Sequence, residues 1–132
     1  MIMEHKEVIF TMGAPKAIGT YSQAIKVGGM VFISGQLPLS AKTMVLVEGG
    51  IVEQVLQVFI NLQAIAEAAG GTAADFVKLT VYLTDLMNFQ IVNEVMIDVL
   101  KAPYPARATV GVSSLPKGAL VEIDAILCVP QR

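Results

Sequence analysis

The sequence predicts an α+β fold in which one sheet is covered on one face by two helices. Two observations lead to this class. Short runs of alternating apolar and polar residues are typical of half-buried strands, and two longer runs carry apolar residues at helical spacing. The predicted order is βββαβαββ, which suits strands and helices packed as two layers. At 132 residues, the chain is expected to form a single domain over residues 1–132.

Three short strands are predicted before the first helix. The first covers residues 7–11. The second and third cover residues 24–27 and 30–34 and flank Gly28-Gly29, a dipeptide typical of a two-residue hairpin turn. Proline and glycine interrupt the segment between the first two strands, which predicts an irregular loop there.

The middle of the chain predicts two helices separated by a strand. Apolar residues between positions 52 and 69 recur at intervals of three and four and stop at Gly70-Gly71, a natural C-cap. Strict alternation over residues 77–83 predicts a strand with one buried face. Helical spacing returns over residues 86–100, directly after Asp85, which is a suitable N-cap.

Two further strands, residues 105–112 and 119–126, are predicted to pair as a hairpin across the turn Pro116-Lys117-Gly118. Alternation places Arg107 on one face of the first strand.

On the returning strand, alternation places Glu122 and Asp124 on one face. The register of the hairpin is open, so Arg107 and these carboxylates could share a face. Burying a charge costs free energy unless the charge is paired or used. We therefore expect either an internal ion pair or a ligand site.

The composition excludes several kinds of site. His5 and Cys128 are the only histidine and cysteine, so one chain cannot assemble a disulfide, a zinc cluster or a histidine-based triad. The net charge is −2 and the lysines are scattered, so the sequence lacks a basic stripe and nucleic-acid binding is not expected. Apart from the terminal Arg132, Arg107 is the only arginine.

Apolar residues are abundant for a chain of this length. They make up 55% of the sequence and charged residues 15%, which is more apolar surface than a small monomer readily buries. The sheet face without helices would also stay bare, so we expect a homo-oligomer. No segment is long and apolar enough to cross a bilayer, and residues 1–10 do not resemble a signal peptide. We therefore expect a cytoplasmic protein without a membrane partner.

A series of motifs extends along nearly the whole chain. It consists of Ala14-Pro15, residues 18–24 and 31–38, Gln54, Asn61-Leu62, residues 77–85, Val92-Asn93 and residues 105–122. In type and order these motifs resemble those of the Rid proteins, the reactive-intermediate deaminases also called the YjgF family, and in particular their RidA branch.

This resemblance implies a chorismate-mutase-like fold, assembled as a homotrimer around a barrel of three sheets, with sites in the clefts between subunits. It also implies hydrolysis of reactive 2-enamino or 2-imino acids, released by pyridoxal-phosphate-dependent dehydratases, to 2-keto acids and ammonia. The activity would be that of a 2-iminobutanoate/2-iminopropanoate deaminase and would need no cofactor or metal. The ligand would be a small 2-imino or 2-keto acid.

The same resemblance implies roles for individual residues. Arg107 would bind the substrate carboxylate, and Glu122 would handle the hydrolytic water. The rest of the pocket would be lined by Tyr21, Ser34, Gly35, Asn93 and Thr109. Thr109 stands where the best-known RidA members have cysteine, so this pocket would lack a thiol.

The residue types suit this chemistry. The planar fork of an arginine donates two parallel hydrogen bonds to a carboxylate, and one carboxylate of suitable pKa can accept a proton from water and pass it to nitrogen. Alternatives stay open at this point. Arg107 could be a structural ion-pair partner of Glu122 or Asp124, and the protein could be a non-catalytic carboxylate-binding or regulatory module. Members of the family have also been assigned endoribonuclease and translation-inhibitor roles.

Overall fold

The computed structural model describes residues 5–130, which contain one six-stranded sheet and two α-helices. The elements are β1 (Glu7–Ile9), β2 (Ala24–Val27), β3 (Met30–Gln36), α1 (Ile51–Ala68), β4 (Phe76–Leu83), α2 (Phe89–Val99), β5 (Ala106–Gly111) and β6 (Val121–Cys128). Single 3-10 turns lie at Ala73–Asp75, Leu86–Asn88 and Pro116–Gly118. The predicted α+β class and the order βββαβαββ are confirmed.

The strands lie in the order β1-β2-β3-β6-β4-β5. β1, β2 and β3 form an antiparallel meander, and β6 runs antiparallel to both β3 and β4. β5 is one of the two edge strands and runs parallel to β4. The connection from β4 through α2 to β5 is therefore a β-α-β crossover, the link that parallel neighbours require.

The predicted pairing of the last two strands as a hairpin is wrong, because β4 lies between β5 and β6. A turn between two strands allows them to pair but does not require it. By entering the centre of the sheet, β6 satisfies its backbone hydrogen-bonding groups against a neighbour on each side. A hairpin at the edge would have left one side of β6 unpaired.

Both helices pack on the same face of the sheet. On β6 the alternate residues Val121, Ile123, Ala125 and Leu127 are buried in one apolar cluster that also contains Phe59 and Leu62 of α1 and Val92 and Met96 of α2. The intervening residues of β6 face the other way. On that open face Phe32 of β3 is 47% exposed, so this side of the sheet is left without a cover inside one chain.

Within residues 5–130, neither helix combines the length and the apolar character needed to cross a membrane.

Candidate active site

Arg107 lies at the exposed edge of the sheet and projects toward α2. Its register partner is Leu79 of β4, which is buried beneath the helices, so Arg107 shares the helix-covered face. Its Nη1 donates a hydrogen bond of 2.8 Å to Oδ1 of Asn93 and lies 3.8 Å from Sδ of Met96. Its Cζ lies 5.2 Å from the centroid of the Phe89 ring, a cation–π distance.

One face of α2 supplies all three contacts of Arg107. Phe89, Asn93 and Met96 are spaced by four and three residues, which brings their side chains to the same side of the helix. None of these three side chains carries a negative charge. They fix the direction of the guanidinium while leaving its charge available to a ligand.

A cavity of about 380 Å³ opens in front of Arg107, and we call it the Arg107 groove. Its lining combines the polar Asn93 and Arg107 with apolar surface from Met96, Leu100 and Tyr104. Thr109 follows Arg107 on the same face of β5 and is half-buried. The groove therefore offers a small ligand one guanidinium at an otherwise mainly apolar wall.

Glu122 lies on the opposite, open face of the sheet. Its register partner is Tyr82 of β4, and its side chain rests against Gly35 of β3. β3 has a register shift between Ile33 and Gln36, which is a bulge in the strand. A methyl group on Gly35 would lie 2.9 Å from Cδ of Glu122, so the missing side chain is what admits the carboxylate.

The surroundings of Glu122 favour its protonated form. Burial raises the pKa of its carboxyl group, and the negative charge of Asp124 raises it further. Asp124 also accepts a hydrogen bond of 2.9 Å from the hydroxyl of Tyr82, and this bond is the main cause of the raised pKa of Tyr82. A carboxyl group with a raised pKa is suited to accept a proton in one step and return it in the next.

A second cavity, of about 200 Å³, borders Gly35, and we call it the Gly35 groove. Tyr21 lines it, is 52% exposed, and accepts a hydrogen bond from the amide of Ile18 at 3.4 Å. Ser34 precedes Gly35 and donates its hydroxyl proton to the carbonyl oxygen of Ser22 at 2.6 Å. Ser34 thus fastens the Tyr21 segment to β3.

The predicted site residues form two groups that do not meet within one chain. Arg107 aligns with Leu79 of β4 and Glu122 with Tyr82, so they lie on the two sides of β4 and three residues apart along it. At about 4.8 Å between strands and about 3.3 Å per residue, their Cα atoms are roughly 14 Å apart. Their side chains point to opposite faces. The internal ion pair with Glu122 or Asp124 and the shared face are therefore both wrong.

Arg107 and Asn93 line the Arg107 groove, and Thr109 lies next to it on the same face of β5. Tyr21 and Gly35 line the Gly35 groove, and Ser34 and Glu122 lie next to Gly35. Sequence reasoning missed Phe89 and Met96 as neighbours of Arg107, although their spacing with Asn93 on one helix face was available as a signal. Between residues 5 and 130, no cluster of His, Cys, Asp and Glu side chains is suited to hold a metal ion.

Comparisons with known proteins place the chain in a family. A family model described as Endoribonuclease L-PSP matches residues 11–129. The chain is 41% identical over 127 residues to a 2-iminobutanoate/2-iminopropanoate deaminase of Dermatophagoides farinae, covering 96% of this chain and 99% of that protein.

Two crystal structures show the same fold. RidA from the Antarctic bacterium Psychrobacter sp. matches with a TM-score of 0.91 at 54% identity, covering 93% of this chain and 99% of that one. E. coli TdcF with bound serine matches with a TM-score of 0.88 at 40% identity, covering 95% and 100%. The matched length and the identities together show that the chain belongs to the Rid (YjgF) family.

Proposed function

We propose that the protein hydrolyses small 2-imino and 2-enamino acids to 2-keto acids and ammonia. The observation that carries this proposal is the guanidinium of Arg107, which uncharged side chains orient at the mouth of an open groove. The related Dermatophagoides protein is named for this reaction, and TdcF binds serine, a small molecule with an α-carboxylate. Both support a ligand of this class.

Arg107 recognises the substrate carboxylate in this proposal. Its two parallel N–H groups form a bidentate pair with the carboxylate, which fixes the direction of the attached C2 atom. Asn93 holds the guanidinium so that little side-chain freedom is lost on binding. Thr109 and the apolar wall of the Arg107 groove accommodate the rest of a short side chain.

The complete site forms between two subunits. One substrate can touch both Arg107 and Glu122 only if they come from different chains, because within a chain they lie on opposite faces of the sheet. The exposed edge strand β5 and the uncovered face bearing Phe32 are surfaces that a second chain can occupy. A homotrimer with three such clefts satisfies this requirement.

Glu122 of the neighbouring chain handles the water. As the water oxygen bonds to C2 of the protonated imine, Glu122 accepts a proton, and a carbinolamine forms. Glu122 then returns the proton to the amino nitrogen. The C–N bond breaks, the hydroxyl oxygen forms the keto group, and its proton leaves with nitrogen as ammonium. The raised pKa of Glu122 suits both transfers.

The remaining predicted residues shape the neighbour's half of the cleft. Gly35 leaves room for the Glu122 carboxylate, Ser34 holds the segment that carries Tyr21, and Tyr21 closes the groove beside them.

A coupled assay tests the function. A pyridoxal-phosphate-dependent threonine dehydratase releases 2-iminobutanoate, and formation of 2-ketobutanoate is followed with and without this protein. We expect hydrolysis faster than the spontaneous rate and proportional to protein concentration. No acceleration at any protein concentration would contradict the proposal. If calorimetry still shows 2-ketobutanoate binding in that case, the protein is a carboxylate-binding module instead.

A further inference from the structure

Three buried amide side chains hold the segments that frame the Gly35 groove. Gln23, Gln54 and Asn61 are exposed by only 2%, 5% and 0%. Each bonds to backbone groups of a different loop, and these loops lie outside the strand ladders that fix the rest of the sheet.

Gln23 holds the first wall. Its Oε1 accepts a hydrogen bond from the amide of Thr11 at 2.8 Å. Its Nε2 lies 3.1 Å from the carbonyl oxygen of Thr11, 3.3 Å from that of Ala14 and 2.9 Å from that of Pro15. Pro15 lines the groove, so one side chain fixes this wall through several contacts at once.

Asn61 holds the second wall from α1. Its Nδ2 donates to the carbonyl oxygens of Leu37 and Leu39 at 3.1 and 3.0 Å, and both residues line the groove. Its Oδ1 accepts from Nε2 of Gln57 at 2.9 Å, which orients the amide on the helix.

Gln54 holds the third wall, also from α1. Its Oε1 accepts from the amide of Leu120 at 2.8 Å. Leu120 lies between the 3-10 turn Pro116–Gly118, two of whose residues line the groove, and Glu122. Gln54 and Asn61 are seven residues apart, which puts them on the same side of α1. One face of α1 therefore holds two of the three loop segments that border the Gly35 groove.

We infer that Gln23, Gln54 and Asn61 are positioning residues that set the width of the Gly35 groove and the placement of Glu122, an inference that rests on the proposed function. None of them needs to contact substrate. A loop backbone released from its amide partner can shift, and a displacement on the order of 1 Å at reacting groups can lower a rate about 10²-fold.

Gln54 gives the sharpest test because its contact depends on one acceptor atom. Gln54→Met removes the acceptor with little change in length, whereas Gln54→Glu keeps an oxygen that Leu120 can reach. Gln63→Met is the matched control, since it makes the same substitution on the same helix, and within residues 5–130 the half-buried Gln63 side chain forms no hydrogen bond to a loop or to Asn61. Circular dichroism first confirms that each variant is folded.

In the coupled assay, we expect Gln54→Met to lower kcat about 10- to 100-fold with KM nearly unchanged, because Arg107 is untouched. Gln54→Glu should recover most of the rate, and Gln63→Met should keep it. Parent-like kcat in folded Gln54→Met would overturn the inference, as would failure of Gln54→Glu to recover the rate.

Hydrogen exchange provides a readout that does not depend on activity. The Leu120 amide should exchange faster in Gln54→Met and regain protection in Gln54→Glu. If the parent protein shows no turnover, the proposed function fails, and the inference is judged on exchange alone. Unchanged protection over residues 116–122 in Gln54→Met would then overturn it.

Discussion

The substitution Gly35→Ala tests whether the position of the Glu122 carboxylate beside Gly35 matters for catalysis or only for folding. The added methyl carbon would overlap Oε2 of Glu122 and would lie 2.9 Å from its Cδ and 3.3 Å from its Cγ. Carbon atoms prefer separations of about 3.5–4.0 Å, so Cδ has to retreat by roughly 0.5–1 Å, and Oε2, which lies nearer to the methyl group, has to move further. A displacement of this size at a proton-transferring group predicts a loss of about 10²-fold in kcat.

The same substitution should leave the fold intact. The atoms that must move are the end of a flexible side chain, and replacing glycine by alanine stabilises a compatible position by about 0.4–1 kcal/mol through the unfolded state. We therefore expect the melting temperature to stay within about 4 °C of the parent.

The coupled assay and a thermal melt on one preparation test both expectations. Gly50→Ala is the control, because nothing lies within 4 Å of the methyl group that it adds. Gly50→Ala should keep the parent rate. Full activity in a folded Gly35→Ala variant would refute the assignment of Glu122 as the carboxylate that handles water.

Two further substitutions test the two halves of the site. Arg107→Lys keeps the charge and loses the fork, so 2-ketobutanoate should bind more weakly by roughly 1.5–3 kcal/mol, and unchanged affinity in calorimetry would show that Arg107 does not bind the carboxylate. Glu122→Gln should slow hydrolysis about 10²–10⁴-fold while keeping that affinity, and a parent-like rate would exclude Glu122. The raised pKa of Glu122 also fixes how this residue changes stability with pH. Below the ordinary pKa of 4.5 the carboxyl group is protonated in both the folded and the unfolded chain, so it does not change the free energy of unfolding. Above the folded pKa it is ionised in both, and because the folded state disfavours the charge, it lowers the free energy of unfolding. The melting temperature of Glu122→Gln should thus rise relative to the parent as the pH increases from about 4 to about 7, and a relative fall would contradict the assigned shift.

Periodicity was enough to predict the elements because each pattern is local. The apolar spacing before Gly70 gave α1, and alternation gave β4 and the buried face of β6. The predicted second helix differs at its start, where Leu86–Asn88 forms a 3-10 turn capped by Asp85 before α2 begins at Phe89. Asp85 accepts from the amide of Met87, so the predicted cap is present at the shorter turn.

The arrangement of the site residues could not be predicted from local sequence patterns. Alternation sorts residues within one strand, but whether Arg107 and Glu122 share a face depends on which strands pair and in which register. The local turn favoured a hairpin, whereas the backbone hydrogen bonds of β6 are satisfied by β3 and β4. The same tertiary pairing brings Gly35 against Glu122. Motif resemblance named these residues and implied sites between subunits, but it did not indicate which of the residues lie on each side of the cleft.

In the proposed mechanism, each site combines Arg107 of one chain with Glu122 of another. Co-assembly of Arg107→Lys and Glu122→Gln chains tests it directly, since each variant alone has only damaged sites. If the residues act across an interface, random mixing of equal amounts restores about a quarter of the sites, those with both native residues. We expect recovery of roughly a quarter of the parent rate after denaturation and refolding of the mixture. Activity no higher than that of the separate variants, in hybrids verified by native mass spectrometry, would contradict it.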